Sequence, residues 1–212
     1  ALAALPPGVA VGWLLARRRF PGKALLDGLI HAPLLLPPVV TGYLLLVFLG
    51  RNGLLGRYLD KWLDVHLPFS WQGAALAGAV VALPLTVRAV RLAVELVDPR
   101  LEEAARVLGA GPLRIFFTVT LPLSLSGIIS GFVLAFARSL GEFGATITFV
   151  GNVEGQTQTL PLAIYSAIQL PGGEGVALKL VGLSVLLCLG SLLIADRLAS
   201  RAAARLAASP GA

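Results

Sequence analysis

Four apolar runs, at residues 24–50, 72–87, 121–140 and 176–195, carry almost no charge, and a fifth at residues 1–16 opens the chain. Runs of this order can cross a hydrocarbon layer of ~30 Å as helices of about 20 residues. In hydrocarbon every backbone N–H and C=O must be paired inside the protein, which leaves helices or a closed barrel. Unbroken apolarity, rather than strict alternation, selects helices. The expectation is an all-α integral membrane protein, one domain over residues 1–212, with about five spans.

Composition excludes the obvious competitor. A net charge of +6 would suggest nucleic acid in a soluble protein. Here 57% of residues are hydrophobic, 13% are charged, and the mean hydropathy is +0.86. The basic residues fall in short loops, where they report orientation instead. Arg17, Arg18, Arg19 and Lys23 lie on one side, with Arg88, Arg91, Arg100, Arg106, Arg114 and the arginines of the tail (Arg197, Arg201, Arg205). Arg51, Arg57 and Lys61 lie on the other, and no Lys or Arg occurs from Gly141 to Leu178. The first group is expected in the cytoplasm. The chain has no Met and opens within an apolar stretch, so the first span is expected to be truncated, with the number of spans upstream left open. Cys188 is the single cysteine, and His31 and His66 have no His or Cys neighbour in sequence. No disulfide framework or metal site is expected, and both histidines read as structural.

Inside the run 24–50, Pro33 and the pair Pro37-Pro38 should break the helix, and such a break survives only inside protein or beside a water-filled cavity. That segment is expected inside the bundle. Residues 51–70 form a polar loop with helical spacing at Leu54, Leu55, Tyr58, Leu59, Trp62 and Leu63, and Trp62 and Trp71 suit the membrane interface. Gly127, Ser130 and Gly131 would permit close helix contact.

The longest polar interruption is residues 98–122, where LEEAARVLGAGPLRIFFTVTLP follows Val97-Asp98-Pro99-Arg100. Asp98 suits an N-cap, Pro99 the first helical position, and Glu102 and Glu103 the acidic first turn; Gly109 and Gly111-Pro112 end the helix. A short helix with one small, apolar face of Ala104, Ala105, Val107 and Leu108, held between spans, is suited to docking on another protein. A second informative stretch is RSLGEFGATITFVGN, residues 138–152. Arg138 and Glu142 share a helix face and can pair. They read equally as a structural ion pair or as pathway residues. Ser139, Thr146 and Thr148, with Pro37, Pro38 and Thr41 from the earlier break, complete the candidate pathway or gate residues.

The first stretch resembles the cytoplasmic "EAA" loop of ABC-importer permeases: Glu103, Ala104, Ala105, Gly109, Leu121 and Pro122 stand at the family spacing, with Val119 in place of Ile. RSLGEFGATITF, TQTLP at Thr157–Pro161, LPPVVTGYLLL at Leu36–Leu46 and FPGKALLD at Phe20–Asp27 resemble the permeases of bacterial molybdate ABC importers, along essentially the whole chain. Sulfate permeases are similar at the RSLGEFG core. The resemblance implies a type I ABC-importer permease fold in the bacterial inner membrane. It implies that two copies form the pathway, that a separate cytoplasmic ATPase dimer uses ATP and docks on Glu103, Ala104, Ala105, Gly109, Leu121 and Pro122, and that an extracytoplasmic protein delivers the oxyanion. The chain has no GxxxxGK[ST] loop to cradle phosphates, so it is expected to be no enzyme and to bind no cofactor. The alternatives are a sulfate or tungstate permease; an ATP-independent transporter or channel, which should show internal repeats that are not visible here; and a membrane-assembly protein without transport.

Overall fold

The computed structural model describes residues 1–207. Residues 208–212 of the expected single domain, and the side chain of Arg205, lie outside the described residues. Among those described, all regular structure is helical. A short turn at Leu2–Ala4 leads into α1 (Leu5–Arg17); α2 (Lys23–Leu35) and α3 (Pro38–Leu49) follow, then α4 (Gly56–Leu63) and α5 (Trp71–Glu95). After α6 (Pro99–Val107), α7 (Pro112–Ile115) runs through a π-helical turn, Phe116–Thr120, into α8 (Leu121–Leu140). The chain closes with α9 (Gly144–Val150), α10 (Leu160–Gln169) and α11 (Glu174–Ala207).

Helix α5 is the hub, touching α1, α2, α8 and α9. Ser70 caps it by accepting from the Gly73 N–H at 3.1 Å. Contact with its neighbours depends on missing side chains. A Cβ on Gly12 of α1 would come within 2.8 Å of Val90, and one on Gly127 of α8 within 2.6 Å of the Ala93 Cβ. Gly131 lies still closer to Ala89. Between apolar helices in lipid, backbone approach of this kind replaces the hydrophobic drive that water would supply. Ser130, by contrast, is exposed and returns its hydroxyl to the Ser126 carbonyl, so it takes no part in the contact.

Among the described residues, three helical segments are long and apolar enough to cross a membrane: Trp71–Glu95, Pro112–Leu140 and Glu174–Arg201. The pair α2–α3 makes a fourth if it is counted as one span, although it bends by 118°; α1 and α10 are shorter apolar helices. Several expected boundaries move. The third run continues past Pro84 to Glu95, because Arg88 and Arg91 end the hydropathy but not the helix, and Arg91 is held by Asp27 of α2 at 3.3 Å and Glu95 at 2.9 Å. The fourth begins at Pro112 rather than Leu121, since the loop's second half is already helical.

The break in the second run falls at Leu36-Pro37, with Pro33 accommodated inside α2. The expectation that this segment lies inside the bundle is corrected within this chain. No α2 residue is buried, and in α3 only Thr41 and Gly42 are. An apolar run such as PVVTGYLLLVFL offers no polar face to mark its outside, so the position of Gly42 decides which side packs. A Cβ there would meet the Ala145 carbonyl oxygen at 2.5 Å. Facing it, Ala145, Phe149 and Val150 of α9 join Ala77 and Val81 of α5 in one buried cluster.

Candidate functional site

The helix α6 begins and ends by local chemistry. The Asp98 carboxylate accepts from the Arg100 N–H at 2.9 Å, and Pro99 occupies the first turn. At the far end Gly109 has φ +83°, its N–H bonds to the Arg106 carbonyl, and the Ala110 N–H bonds to the Ala105 carbonyl, both at 3.0 Å. This pairing is a Schellman motif, which satisfies carbonyls that a helix end otherwise leaves open. A Cβ at Gly109 would touch nothing within 4 Å, so backbone conformation alone calls for glycine here.

The two sides of α6 differ. Glu103, Ala104, Val107 and Leu108 face outward, the last two 87% and 88% exposed, and exposed Leu96 and Leu113 flank them. Arg100, Arg106 and Arg114 of the same stretch are exposed as well. Ala105 is half-buried on the other side. Leu121 and Pro122 are not part of the surface: both are half-buried at the start of α8, where Leu121 packs on Val90, Val94 and Ile128. The spaced motif therefore divides into an outward helix and an inward anchor.

Glu102 was not singled out in the sequence as a site residue, and it is the better held of the two glutamates. Its Oε1 accepts from Arg17 Nε at 3.0 Å and from the Thr120 hydroxyl at 2.7 Å. Nothing in LEEAA distinguishes the two carboxylates except helical phase, because one of two adjacent residues must turn toward the bundle.

In the second stretch, α8 stops at Gly141 and the chain restarts as α9 at Gly144. Arg138 donates to Glu142 Oε2 at 2.9 Å, while Glu142 Oε1 accepts from the Ala145 N–H, also at 2.9 Å. Glu142 is 3% exposed and Arg138 34%. One carboxylate thus closes α8 and opens α9. The candidate pathway residues separate into two groups. Pro38, Thr41 and Thr148 belong to the α3–α9 contact, where a Cβ on Gly144 would approach that of Pro38 at 2.7 Å. Thr41 is buried with its hydroxyl unpartnered, Thr148 returns its hydroxyl to the Gly144 carbonyl at 2.8 Å, and Pro37 is exposed at the break. Ser139, Glu142 and Thr146 instead line a cavity of about 870 Å³ between α5, α8 and α11, walled mainly by residues such as Ile128, Phe132, Phe136 and Ile194. Arg138 does not line it. A cavity with a carboxylate, apolar walls and no basic side chain is unsuited to a dianion.

Beyond α9, Asn152 donates to Ser166 of α10 at 2.8 Å and accepts from Gln158 at 3.1 Å, fixing residues 151–159 against α10. The histidines are engaged. His31 Nδ1 donates to the Asp27 carbonyl at 2.8 Å. His66, which has no His or Cys neighbour in sequence, lies with the carboxylates of Asp60 and Asp64, ligand atoms within 4.8 Å of one another. Arg51 stands 3.7 Å from Asp60 and 3.5 Å from His66, which makes this an exposed ion-pair cluster on the α4 loop.

Residues 8–204 match the family model described as "Binding-protein-dependent transport system inner membrane component". The chain is 60% identical over 198 residues to the molybdenum transport system permease protein ModB of Escherichia coli K12, covering 93% of this chain and 86% of that one. It is 58% identical over 197 residues to the ModB protein of Haemophilus influenzae, with the same coverage. A solved inward-facing structure of the MetNI methionine ABC transporter shares the fold, with a TM-score of 0.71 at 19% identity, over 95% of this chain and 88% of that one.

Proposed function

This chain belongs to the family of binding-protein-dependent transport system inner membrane components, and on that premise we propose that it is the membrane-spanning subunit of an ATP-driven molybdate importer. The observation that carries the substrate is the 60% identity, along nearly the whole chain, to a permease named for molybdenum transport. Two copies form the pathway between them. The cavity of about 870 Å³ has the wrong chemistry for a tetrahedral dianion, which favours a path along the surface between copies. The outward face of α6, apolar and in a stretch with exposed arginines, docks on a cytoplasmic ATPase dimer. An extracytoplasmic binding protein delivers the anion from the side of the 51–70 and 151–159 loops. ATP-driven closure of the ATPases biases the two permease halves between inward- and outward-open states.

The test is uptake by a strain lacking its own molybdate permease and supplied with this chain and its cognate partners. Saturable molybdate uptake that requires the ATPase is expected, with sulfate and tungstate as competitors to rank selectivity. Uptake of sulfate alone, or uptake without the ATPase, overturns the reading. Orientation has its own check. With the exposed Cys188 changed to Ala, cysteine at Asn52 or Gln156 should react with an impermeant thiol reagent in intact cells. Cysteine at Ala110 should react only after permeabilisation. Labelling of Ala110 from outside would invert the arrangement and remove the docking role of α6.

A further inference from the structure

We propose that Arg17, Glu102 and Thr120 form a clamp that makes α1, α6 and the start of α8 move as one piece. Glu102, rather than the outward Glu103, is then the positioning residue that carries motion of the docking helix into the bundle. This rests on the importer reading above.

Among the described residues, Glu102 is the one α6 side chain hydrogen-bonded to another element. Its Oε1 gathers the Arg17 guanidinium and the Thr120 hydroxyl. The same guanidinium donates through its NH2 group to the Val97 carbonyl at 2.9 Å, in the turn between α5 and α6. One arginine at the end of α1 therefore holds both the approach to the docking helix and the helix itself, across a sequence separation of 85 residues. The Arg17 and Glu102 side chains are 15% and 12% exposed, and Thr120 and Val97 are buried, so water offers little substitute for these bonds. Arg17 also suits the helix end it occupies, where the dipole favours a cation.

A second grip lies one turn back on the same face of α1. Trp13 meets Phe116 edge-on at 5.8 Å, and Phe116 in turn meets Phe117 at 5.0 Å. The π-helical turn Phe116–Thr120 is thus reached from α1 at both ends, by Trp13 directly at Phe116 and by Arg17 through Glu102 at Thr120. A π turn carries one residue more than an α turn and redirects the side chains around it, which is why such turns gather at working positions. The outward face of α6 stays free while its inward face is tied to two spans.

The test uses the complete transporter in proteoliposomes, with molybdate uptake measured against ATP hydrolysed. Arg17→Gln and Glu102→Gln each strand a charge and should lower uptake per ATP by about tenfold or more. The double variant Arg17→Met/Glu102→Met strands no charge and can form none of the clamp's bonds; it should assemble with near-normal thermal stability, yet remain uncoupled. A merely structural pair predicts the reverse, and uptake per ATP within roughly twofold of the unmodified protein in the double variant overturns the proposal. A second pair guards against misfolding. Arg17→Cys/Glu102→Cys, with Cys188→Ala, should be uncoupled as thiols and regain uptake when bridged by a short thiol-reactive linker; no gain on bridging also overturns it. Lack of ATP-dependent uptake by the unmodified protein would instead bring down the importer reading, so the two failures are distinguishable.

Discussion

Gly109→Val is expected to abolish uptake while the protein reaches the membrane at its normal level. Gly109 sits at φ +83° in a position open to solvent, so the substitution creates no clash and acts only on the backbone. Holding a β-branched residue in that region costs about 1–3 kcal/mol, which the end of a nine-residue helix cannot absorb. The helix end then unwinds, and the Ala105 and Arg106 carbonyls lose their partners. The outward face of α6 loses its shape as a result. A graded series checks the cause: Gly109→Asn should keep most uptake because Asn tolerates the left-handed region, Gly109→Ala should keep less, and Gly109→Val least. Glu103→Lys, which reverses charge on the exposed face without touching the clamp, should also abolish uptake. Normal uptake by both Gly109→Val and Glu103→Lys at matched expression would remove the docking role.

The second large effect is expected at Arg138. Arg138→Gln leaves a buried carboxylate whose remaining bond is to the Ala145 N–H, and should lower stability by about 2–3 kcal/mol. That is below the ~3–5 kcal/mol typical of fully buried pairs, because Arg138 is one-third exposed. Arg138→Gln/Glu142→Gln should recover most of this, since the new amide oxygen can still accept from Ala145 and no charge is stranded. Near-normal uptake is expected in the double variant, because both of the pair's bonds serve the α8–α9 corner. The measurement is melting temperature in detergent beside uptake for the singles and the double. Recovered stability without uptake would give Arg138 a place on the anion's path.

Much of this architecture is legible before any coordinates. The apolar runs mark the membrane-crossing helices, and Asp98, Pro99 and Gly109 bracket α6 because capping is local chemistry, written within a few residues of where it acts. The failures are all tertiary. The third run loses its hydropathy near Val87, yet α5 continues to Glu95 with neighbours on several sides. The 118° bend of α2–α3 cannot be read from Pro37-Pro38, which announces a break but not its angle. Glu102 and Glu103 are chemically identical, and only the position of Arg17 on a distant helix separates them. The pathway candidates come from two sequence stretches, whereas the structure sorts them by which neighbour they face.

The α3–α9 contact also sets a schedule for biosynthesis. Gly42 and Pro38 find their partners only when Ala145 and Gly144 exist. Those residues leave the ribosome roughly a hundred residues later, a delay of about 5–20 seconds at ordinary elongation rates. Throughout that interval α2 and α3, of 13 and 12 residues, are each too short to span alone. Within this hairpin α2 can meet α5 first, through Asp27 and Arg91, while α3 waits for α9. Substitutions at Gly42 or Gly144 should therefore reveal themselves first as nascent chains lost to membrane proteases, before any mature transporter is there to be assayed.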